Sequence, residues 1–233
     1  MIPSTQIASS ASLGDDEVVR RVRAGEKALF EVLVRRHDQR VYRTVRSILR
    51  NEGEVEDAMQ QAWLQVYLHL GEFAGNSAFS TWLVRIAANE ALQRLRRRTP
   101  LTAVPDEAEE ETMDPRADDP EERAGSREAV RLVERAVDQL PSHYRSVFML
   151  RDIEGLSTAD TASALGIGEE AAKVRLHRAR AMLRESLTEM VDGAAPEAFQ
   201  FLAPRCNKMV ARVMEAIDPL PVPGPGPGNG SAA

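Results

Sequence analysis

The spacing of apolar residues in the first hundred positions predicts four amphipathic helices. Asp15 or Asp16 is expected to cap the first helix, which should end near Gly25, and the second helix spans about residues 26–49. Gly53 is expected to break the chain before the third helix. Apolar residues of the third helix recur at helical spacing, namely Val55, Met59, Ala62, Trp63, Val66, Tyr67 and Leu70. After a loop, "GEFAGNSAFS", the fourth helix carries Phe79, Leu83, Ile86, Ala87 and Leu95 and ends in "RLRRR".

The same periodicity returns in the second half of the chain, from about Ser126 to Met190. A first helix precedes Pro141, which is expected to start the next one. The short pattern "TADTASAL" is separated from a longer helix by Gly166, whose freedom at positive φ suits a tight turn. A last amphipathic pair is predicted over residues 196–217, with Phe199, Phe201, Met209, Val210, Val213 and Ile217 facing inward.

These patterns predict an all-α protein. Straight-chain residues that favour helices are abundant, aromatic residues make up only 5% of the chain, and no run of alternating β-branched residues predicts a strand. We expect two small helical domains joined by a disordered acidic linker, the second being a helix-turn-helix domain. The expected divisions are a flexible N-terminus (1–14), a first domain (15–98), the linker (99–127), a second domain (128–190) and a C-terminal extension (191–233), helical to about residue 217 and then disordered.

The net charge of −6 is distributed unevenly along the chain. Residues 1–98 carry a net charge of +3 and residues 99–128 carry −8, whereas residues 129–192 carry −1 and the remainder is neutral. One acidic segment therefore masks two helical regions whose cations are available to a polyanion.

Several classes of function find no support in the sequence. The single cysteine, Cys206, excludes an internal disulfide and a multi-thiolate zinc site, so we expect no metal. No phosphate-binding glycine loop or nucleophile motif occurs, and the four histidines are scattered, so we expect no cofactor, no small-molecule substrate and no catalytic residues. The first 16 residues lack a basic leader and no 18 apolar residues run together, which predicts a cytoplasmic protein.

The stretch "TASALGIGEEAAKVRLHRAR" has the pattern of a DNA-binding helix-turn-helix. On its second helix, small and polar residues face away from the predicted core, and cations flank them on both sides. Such a strip fits the major groove, because the backbone approaches the bases while the cations reach phosphates. A solvated helix face is the alternative. The core side would hold Ala172, Leu176, Ala179 and Leu183; the outer side holds Glu170, Val174, His177 and Ala181, flanked by Lys173, Arg175, Arg178 and Arg180.

The segment "LPSHYRSVFMLRDIEGLSTADTASALGIGEEAAKVRLHRARAML" resembles the C-terminal DNA-reading domain of extracytoplasmic-function (ECF) sigma factors of the sigma-70 family. In the first half, "EDAMQQAWLQVYLHL" is similar to the family's polymerase-clamp-binding helix, and "FAGNSAFSTWLVRIAANEALQRLRRR" is similar to its promoter-melting segment. The resemblance implies sigma region 2 in residues 15–98 and sigma region 4 in residues 128–190. It implies a non-catalytic subunit that binds core RNA polymerase, melts promoter DNA and initiates transcription.

Candidate DNA-binding residues follow from this resemblance. For the upstream promoter element they are Lys173, Val174, Arg175, His177, Arg178 and Arg180, with Lys173 suited to a guanine edge and the arginines to phosphates. Ala171 and Val174 replace the family's usual hydroxyls, and Glu169 and Glu170 repel phosphate, which predicts an unusual promoter preference. For melting of the downstream element the candidates are Asn76, Ser77, Ser80, Trp82, Arg85 and Asn89, among which Trp82 also fits a core position.

Partners also follow from the resemblance. The β′ clamp helices of core polymerase are expected to bind four residues that recur at helical spacing: Asp57, Gln60, Gln61 and Leu64. A solvated helix face is the alternative for these residues. The β subunit of the polymerase is also an expected partner. Promoter DNA is a second partner and an anti-sigma factor a third. The acidic linker either enters a nucleic-acid channel of the polymerase or is a solubilising spacer. The C-terminal extension is a candidate for self-inhibition, and Cys206 for a packed thiol or, less simply, a redox sensor.

A stand-alone helix-turn-helix regulator is the alternative function. Output domains of such regulators share the pattern of the second domain. A regulator would however need a ligand-binding or phosphoacceptor domain before it, and the first domain shows neither a parallel α/β pattern nor an acidic phosphorylation pocket.

Overall fold

The computed structural model describes residues 13–98, 124–187 and 203–223. Within those ranges the protein forms nine α-helices and no strand, which confirms the all-α prediction. The predicted disordered linker lies largely outside the described residues, as do Phe199 and Phe201.

The first domain consists of α1 (Asp15–Arg23), α2 (Phe30–Arg46), α3 (Glu52–Leu68) and α4 (Phe79–Arg98). Helices α2, α3 and α4 pack against one another around aromatic side chains. The Phe30 ring lies edge-on to Trp63 and Tyr67, with centroids 5.9 and 5.2 Å apart. The seven apolar residues predicted to line the third helix and its end are all buried.

Two predicted helix boundaries are wrong in detail. The N-cap of α1 is Gly14 and not Asp15 or Asp16. Both aspartates lie in the first turn, where their negative charge interacts favourably with the positive end of the helix dipole. Gly53 does not break the chain, because it lies inside α3. Asn51 starts that helix by accepting a hydrogen bond from the Glu54 backbone N–H at 3.1 Å.

The second domain consists of α5 (Ala124–Gln139), α6 (Ser142–Phe148), α7 (Thr158–Leu165) and α8 (Glu169–Ser186). Ser157 caps α7 by accepting the Asp160 backbone N–H at 3.0 Å. Gly166 ends that helix with φ +65°, the left-handed conformation that its turn was predicted to require. Helices α6, α7 and α8 pack together, so α7 and α8 form the expected helix-turn-helix.

Helix α6 continues into a π-helical turn, Met149–Ile153, and acidic residues within it and directly after it face opposite sides. The hydrogen bond that defines this turn spans five residues: the Glu154 backbone N–H donates to the Met149 carbonyl at 2.9 Å. Asp152 faces α8, whereas Glu154 is buried against α2.

Arginines of α2 join the two domains through acidic residues of the second domain. Arg40 and Arg43 pair with Glu154 at 2.8 and 3.4 Å, and Arg46 pairs with Asp138 at 2.9 Å. Burial raises the pKa of Glu154, and the neighbouring Arg40 and Arg43 oppose that rise. Helix α4 also packs on α7, so the described parts of the two domains are in direct contact.

The last described helix, α9 (Ala203–Ile217), packs in the groove between α2 and α3 of the first domain. Its inward residues are the four that the sequence pattern predicted there: Met209, Val210, Val213 and Ile217. Cys206 lies within α9, but its side chain is outside the described part of the protein.

Candidate DNA and polymerase interfaces

The outer face of α8 is open to solvent. The core side of this helix is buried, as its spacing predicts: Ala172, Leu176, Ala179 and Leu183. On the opposite side Val174 is 51% exposed, and Lys173, His177, Arg178 and Arg180 are also exposed, while Arg175 is half-buried. The six candidate residues therefore lie on the accessible part of one helix, with a cation on either side of Val174.

The Lys173 ammonium is occupied within its own helix. Its Nζ donates to Glu170 Oε1 at 2.6 Å, and this hydrogen bond raises the pKa of Lys173. Both side chains are largely exposed, so the pair adds little to stability. Glu170 therefore occupies one of the three N–H donors of Lys173.

Two arginines of α8 are held by residues outside the helix. Arg180 makes a two-pronged contact with Asp152, Nε and Nη2 lying 2.8 and 2.6 Å from its carboxylate oxygens. Hydrogen bonding to Asp152 raises the pKa of Arg180. Arg178 Nη1 donates to the Tyr144 hydroxyl at 3.2 Å. These contacts hold Arg178 and Arg180, which flank the outer face from opposite sides.

The candidate melting loop projects from the first domain between α3 and α4. Asn76 and Ser77 are exposed, and the preceding Gly75 has φ +73°, a conformation that glycine adopts without strain. Ser80, in the first turn of α4, is half-buried. The Asn76 amide is therefore accessible to an unpaired base.

An aromatic cluster supports this loop from below. Trp82 is half-buried and lies against Phe73 and Phe79, with centroids 5.4 and 5.9 Å away. Trp82 therefore packs partly in the core, which was the alternative expected for it, and part of its side chain remains accessible. Arg85 and Asn89, one and two turns further along α4, are exposed.

Asp15 anchors α1 beside the same cluster. Its carboxylate accepts from His37 Nε2 at 2.8 Å and from Arg36, while the His37 ring lies 5.5 Å from the Phe79 ring. Burial alone would raise the pKa of Asp15, but the hydrogen bonds and charges of His37 and Arg36 lower it overall. A sequence pattern cannot reveal this contact, because its partners are 22 residues apart.

A cleft of about 530 Å³ lies between α1 and the loop. Its walls combine apolar groups with both acidic and basic side chains. The lining residues are Asp16, Val19, Arg20, Arg23, Ala24, Phe73, Ala74 and Gly75.

The polymerase candidates Asp57, Gln60, Gln61 and Leu64 share one side of α3, which we call the α3 face. Asp57 is exposed and the other three are half-buried. Leu68, one turn beyond Leu64 on the same side, is 49% exposed and was missed from the sequence. The sequence does contain a sign of this residue, because Leu68 is an apolar residue on the outward side of an amphipathic helix.

Neither a metal centre nor a membrane span occurs within the described ranges. No three His, Cys, Asp or Glu side chains there come together as ligands would. No described helix combines the length and apolarity that crossing a membrane requires.

Comparison with known families identifies both domains. The family model for sigma-70 region 2 matches residues 33–100, and the model for sigma-70 region 4 matches residues 131–183. ECF RNA polymerase sigma factor SigM of Mycobacterium tuberculosis (strain ATCC 25618 / H37Rv) is 36% identical over 173 residues, covering 74% of this chain and 84% of SigM. The chain belongs to the ECF sigma factors of the sigma-70 family.

Other relatives agree with this assignment. The RNA polymerase sigma-H factor of Pseudomonas aeruginosa is 32% identical to this sigma factor over 184 residues, covering 76% of it and 95% of the relative. The sigma-E factor of Escherichia coli K12 is 31% identical over 189 residues, covering 78% and 98%. CnrH, solved in complex with the cytosolic domain of CnrY, has a TM-score of 0.51 at 24% identity, covering 73% of this chain and 95% of that chain, which supports the helical fold. None of these observations favours a stand-alone regulator.

Proposed function

We propose that this sigma factor is a dissociable promoter-specificity subunit, which binds core RNA polymerase through its first domain and reads promoter DNA through both domains. The observation that carries the proposal is the presence of the region 2 and region 4 matches in one chain and in that order. A stand-alone regulator has no need of a region 2 domain. Catalysis in this proposal belongs to the polymerase, and the sigma factor acts in the cytoplasm.

The α3 face is the proposed contact with the β′ clamp helices. Asp57, Gln60 and Gln61 offer polar contacts, and Leu64 and Leu68 add apolar area beside them. A clamp helix packing on this side of α3 would approach to the usual interaxial distance of about 8–10 Å. The proposed partners also include the polymerase β subunit.

Helix α8 is the proposed reader of the upstream element as duplex DNA. Lys173, Val174 and His177 are positioned to meet base edges, and the flanking Arg175, Arg178 and Arg180 to hold phosphates. Lys173 exchanges Glu170 for DNA in this process, and Arg180 exchanges Asp152. The small side chains at Ala171 and Ala181 allow close approach of the helix backbone.

The loop and α4 are the proposed melting element. Asn76 pairs with the edge of an extruded base, which the neighbouring cleft receives, and Ser77 and Ser80 contact its backbone. Trp82, Arg85 and Asn89 then line the path of the separated strand.

Control by an anti-sigma factor is part of the proposal. The family to which the chain belongs supports it. The acidic linker at residues 99–127 is proposed to follow a polymerase channel built for nucleic acid, because its charge has the sign of the nucleic acid it would mimic.

Reconstitution with bacterial core polymerase tests the proposal. The full chain should compete with another sigma factor for core enzyme and support specific transcripts, whose start sites then reveal the promoter sequence. Failure to compete for core enzyme would overturn it. Tight, specific binding of duplex DNA at nanomolar concentration by the free protein would favour the regulator instead.

A further inference from the structure

Helix α9 lies along the first domain as an amphipathic helix docked in a groove. Met209, Val210, Val213 and Ile217 are buried between α2 and α3, and Val213 and Ile217 have no exposed surface at all. Removing apolar surface from water is the dominant favourable contribution in most protein association, and here it must also offset the ordering of the helix. The apolar stripe therefore provides most of the attraction.

Polar contacts at both ends fix the direction of α9. Near its start, Asn207 Oδ1 accepts from Arg35 Nη1 of α2 at 2.8 Å. Just beyond its end, Lys27 Nζ donates to the carbonyls of Asp218 and Leu220 at 2.6 and 2.7 Å. Because Lys27 precedes α2 and Arg35 lies within it, α9 runs antiparallel to α2.

A cationic side of α9 meets the acidic start of α3. Arg212 Nη2 lies 3.0 Å from Asp57 Oδ1, and Arg212 Nη1 lies 3.9 Å from Glu56 Oε2. Lys208, one turn earlier on the same side, is 4.0 Å from Glu56. Asp57 belongs to the α3 face, so α9 already holds one of the groups proposed to bind polymerase.

Helix α9 and a clamp helix of the polymerase would compete for the space beside Asp57. An α-helix with its side chains is about 10–12 Å across, and helices that pack directly have axes about 8–10 Å apart. A clamp helix that contacted Asp57 would therefore enter space filled by α9 and Arg212. Arg212 must release Asp57 before a second helix can pack on this edge of α3.

We propose that α9 is a tethered competitor of core polymerase, which occupies the edge of the α3 face until it is displaced. This inference rests on the proposed role of the α3 face. Sixteen residues, 187–202, separate α8 from α9. A segment of this length spans at most about 55 Å, so it keeps α9 near its groove at an effective concentration in the millimolar range. Polymerase must overcome that local excess before it binds.

Two aspartate substitutions in the full chain provide the test. Val213→Asp places a charge in the fully buried part of the α9 contact, whereas Ala211→Asp places the same charge on the exposed side of the same helix. If α9 occupies the groove in about nine molecules of ten, releasing it tightens the apparent affinity for core enzyme about tenfold. Equilibrium binding of fluorescent core polymerase to both variants and to the unaltered chain measures this effect.

The direction of the change separates the outcomes. Tighter binding by Val213→Asp alone supports the inference, and misfolding cannot mimic it, because a misfolded chain binds more weakly. A synthetic peptide of residues 203–223 should then reverse the gain when added to Val213→Asp. Equal or weaker binding by Val213→Asp relative to Ala211→Asp overturns the inference while leaving the proposed function intact. If none of the three chains binds core polymerase, the proposed function itself fails.

Discussion

Arg145 of α6 donates from Nε to the main-chain carbonyl of Ser47, 2.9 Å away, across the contact between the two domains. Its Nη1 lies 3.4 Å from the carbonyls of both Asp138 and Leu140. Burial, reinforced by the nearby Arg50 and Arg46, lowers the pKa of Arg145 to about 9, so the guanidinium remains charged at neutral pH. One buried cation thus satisfies carbonyls from both domains.

Replacing Arg145 with alanine should lower the free energy of unfolding by about 2–4 kcal/mol, because buried carbonyls lose a charged donor. Arg145→Lys should recover less than half of that loss, since an ammonium cannot reproduce the fork of a guanidinium. Urea unfolding at pH 7.5 measures both variants. Arg178→Ala, at an exposed site, is the control and should change stability by less than about 0.5 kcal/mol. Full rescue by lysine would contradict this account.

Asp15 should make stability depend on pH in the acid range. Its pKa is lowered from 3.8 in the folded protein, so its contribution is present above that value and is lost as pH falls through the folded pKa. Asp15→Asn should cost about 1 kcal/mol at pH 7 and almost nothing at pH 2.5. Urea unfolding across this range measures the difference, with Asp16→Asn on the exposed neighbouring position as control. A cost that stays constant with pH would argue against the His37 and Arg36 contacts.

Two exposed aliphatic residues offer a reciprocal test of the interfaces. Leu68 and Val174 are 49% and 51% exposed, so truncating either to alanine should scarcely alter folding. Leu68→Ala should weaken binding to core polymerase about three- to tenfold and leave promoter selection unchanged, through loss of apolar area. Val174→Ala should alter promoter selection at unchanged core affinity. Identical effects of the two variants in both assays would contradict the assignment of separate surfaces.

Lys173 and Arg178 should differ in what they contribute to DNA binding. Lys173→Ala should reduce discrimination at one base position by about 1–3 kcal/mol, because it removes a base-edge donor. Arg178→Ala should weaken binding to all sequences and lower the slope of log affinity against log salt by about 1, because it removes a phosphate contact.

Binding of the reconstituted holoenzyme to its mapped promoter and to point variants, between 50 and 200 mM salt, measures these two changes. A uniform loss with Lys173→Ala would instead identify that residue as a phosphate contact.

Asn76→Ala should slow promoter opening about tenfold or more, because extruding a base costs a few kcal/mol that the amide helps to offset. Permanganate reactivity of unpaired thymines follows the opening. A template with a pre-melted bubble should restore most of the activity, and Glu72→Ala, at a neighbouring exposed position, should behave like the unaltered protein. A defect that persists on the bubble template would place the role of Asn76 elsewhere.

Local patterns predicted the helices well, because which side of a helix is buried depends on spacing within that helix. Leu176 and Ala179 are buried and Val174 is exposed for this reason. The predicted start of α3 was wrong because Gly53 does not break the helix. An exposed glycine is tolerated in the first turn of a helix when a residue such as Asn51 supplies the cap.

Contacts between distant elements could not be predicted in this way. The apolar stripe of α9 shows that the helix must bury one side, but not that α2 and α3 receive it. Arg40, Arg43 and Arg46 lie along α2, and Arg50 follows its end. Only the fold shows that Asp138, Glu154 and main-chain carbonyls are their partners.

The π-helical turn at Met149–Ile153 joins two properties that would otherwise vary separately. Asp152 sets the position of Arg180 on α8, and Glu154, directly after the same turn, pairs with Arg40 and Arg43 of the other domain. Deleting one residue here would rotate the following backbone by about 100° and misdirect both carboxylates together. A change in this turn would therefore alter the setting of Arg180 and the contact between the two domains together, so neither is free to vary alone.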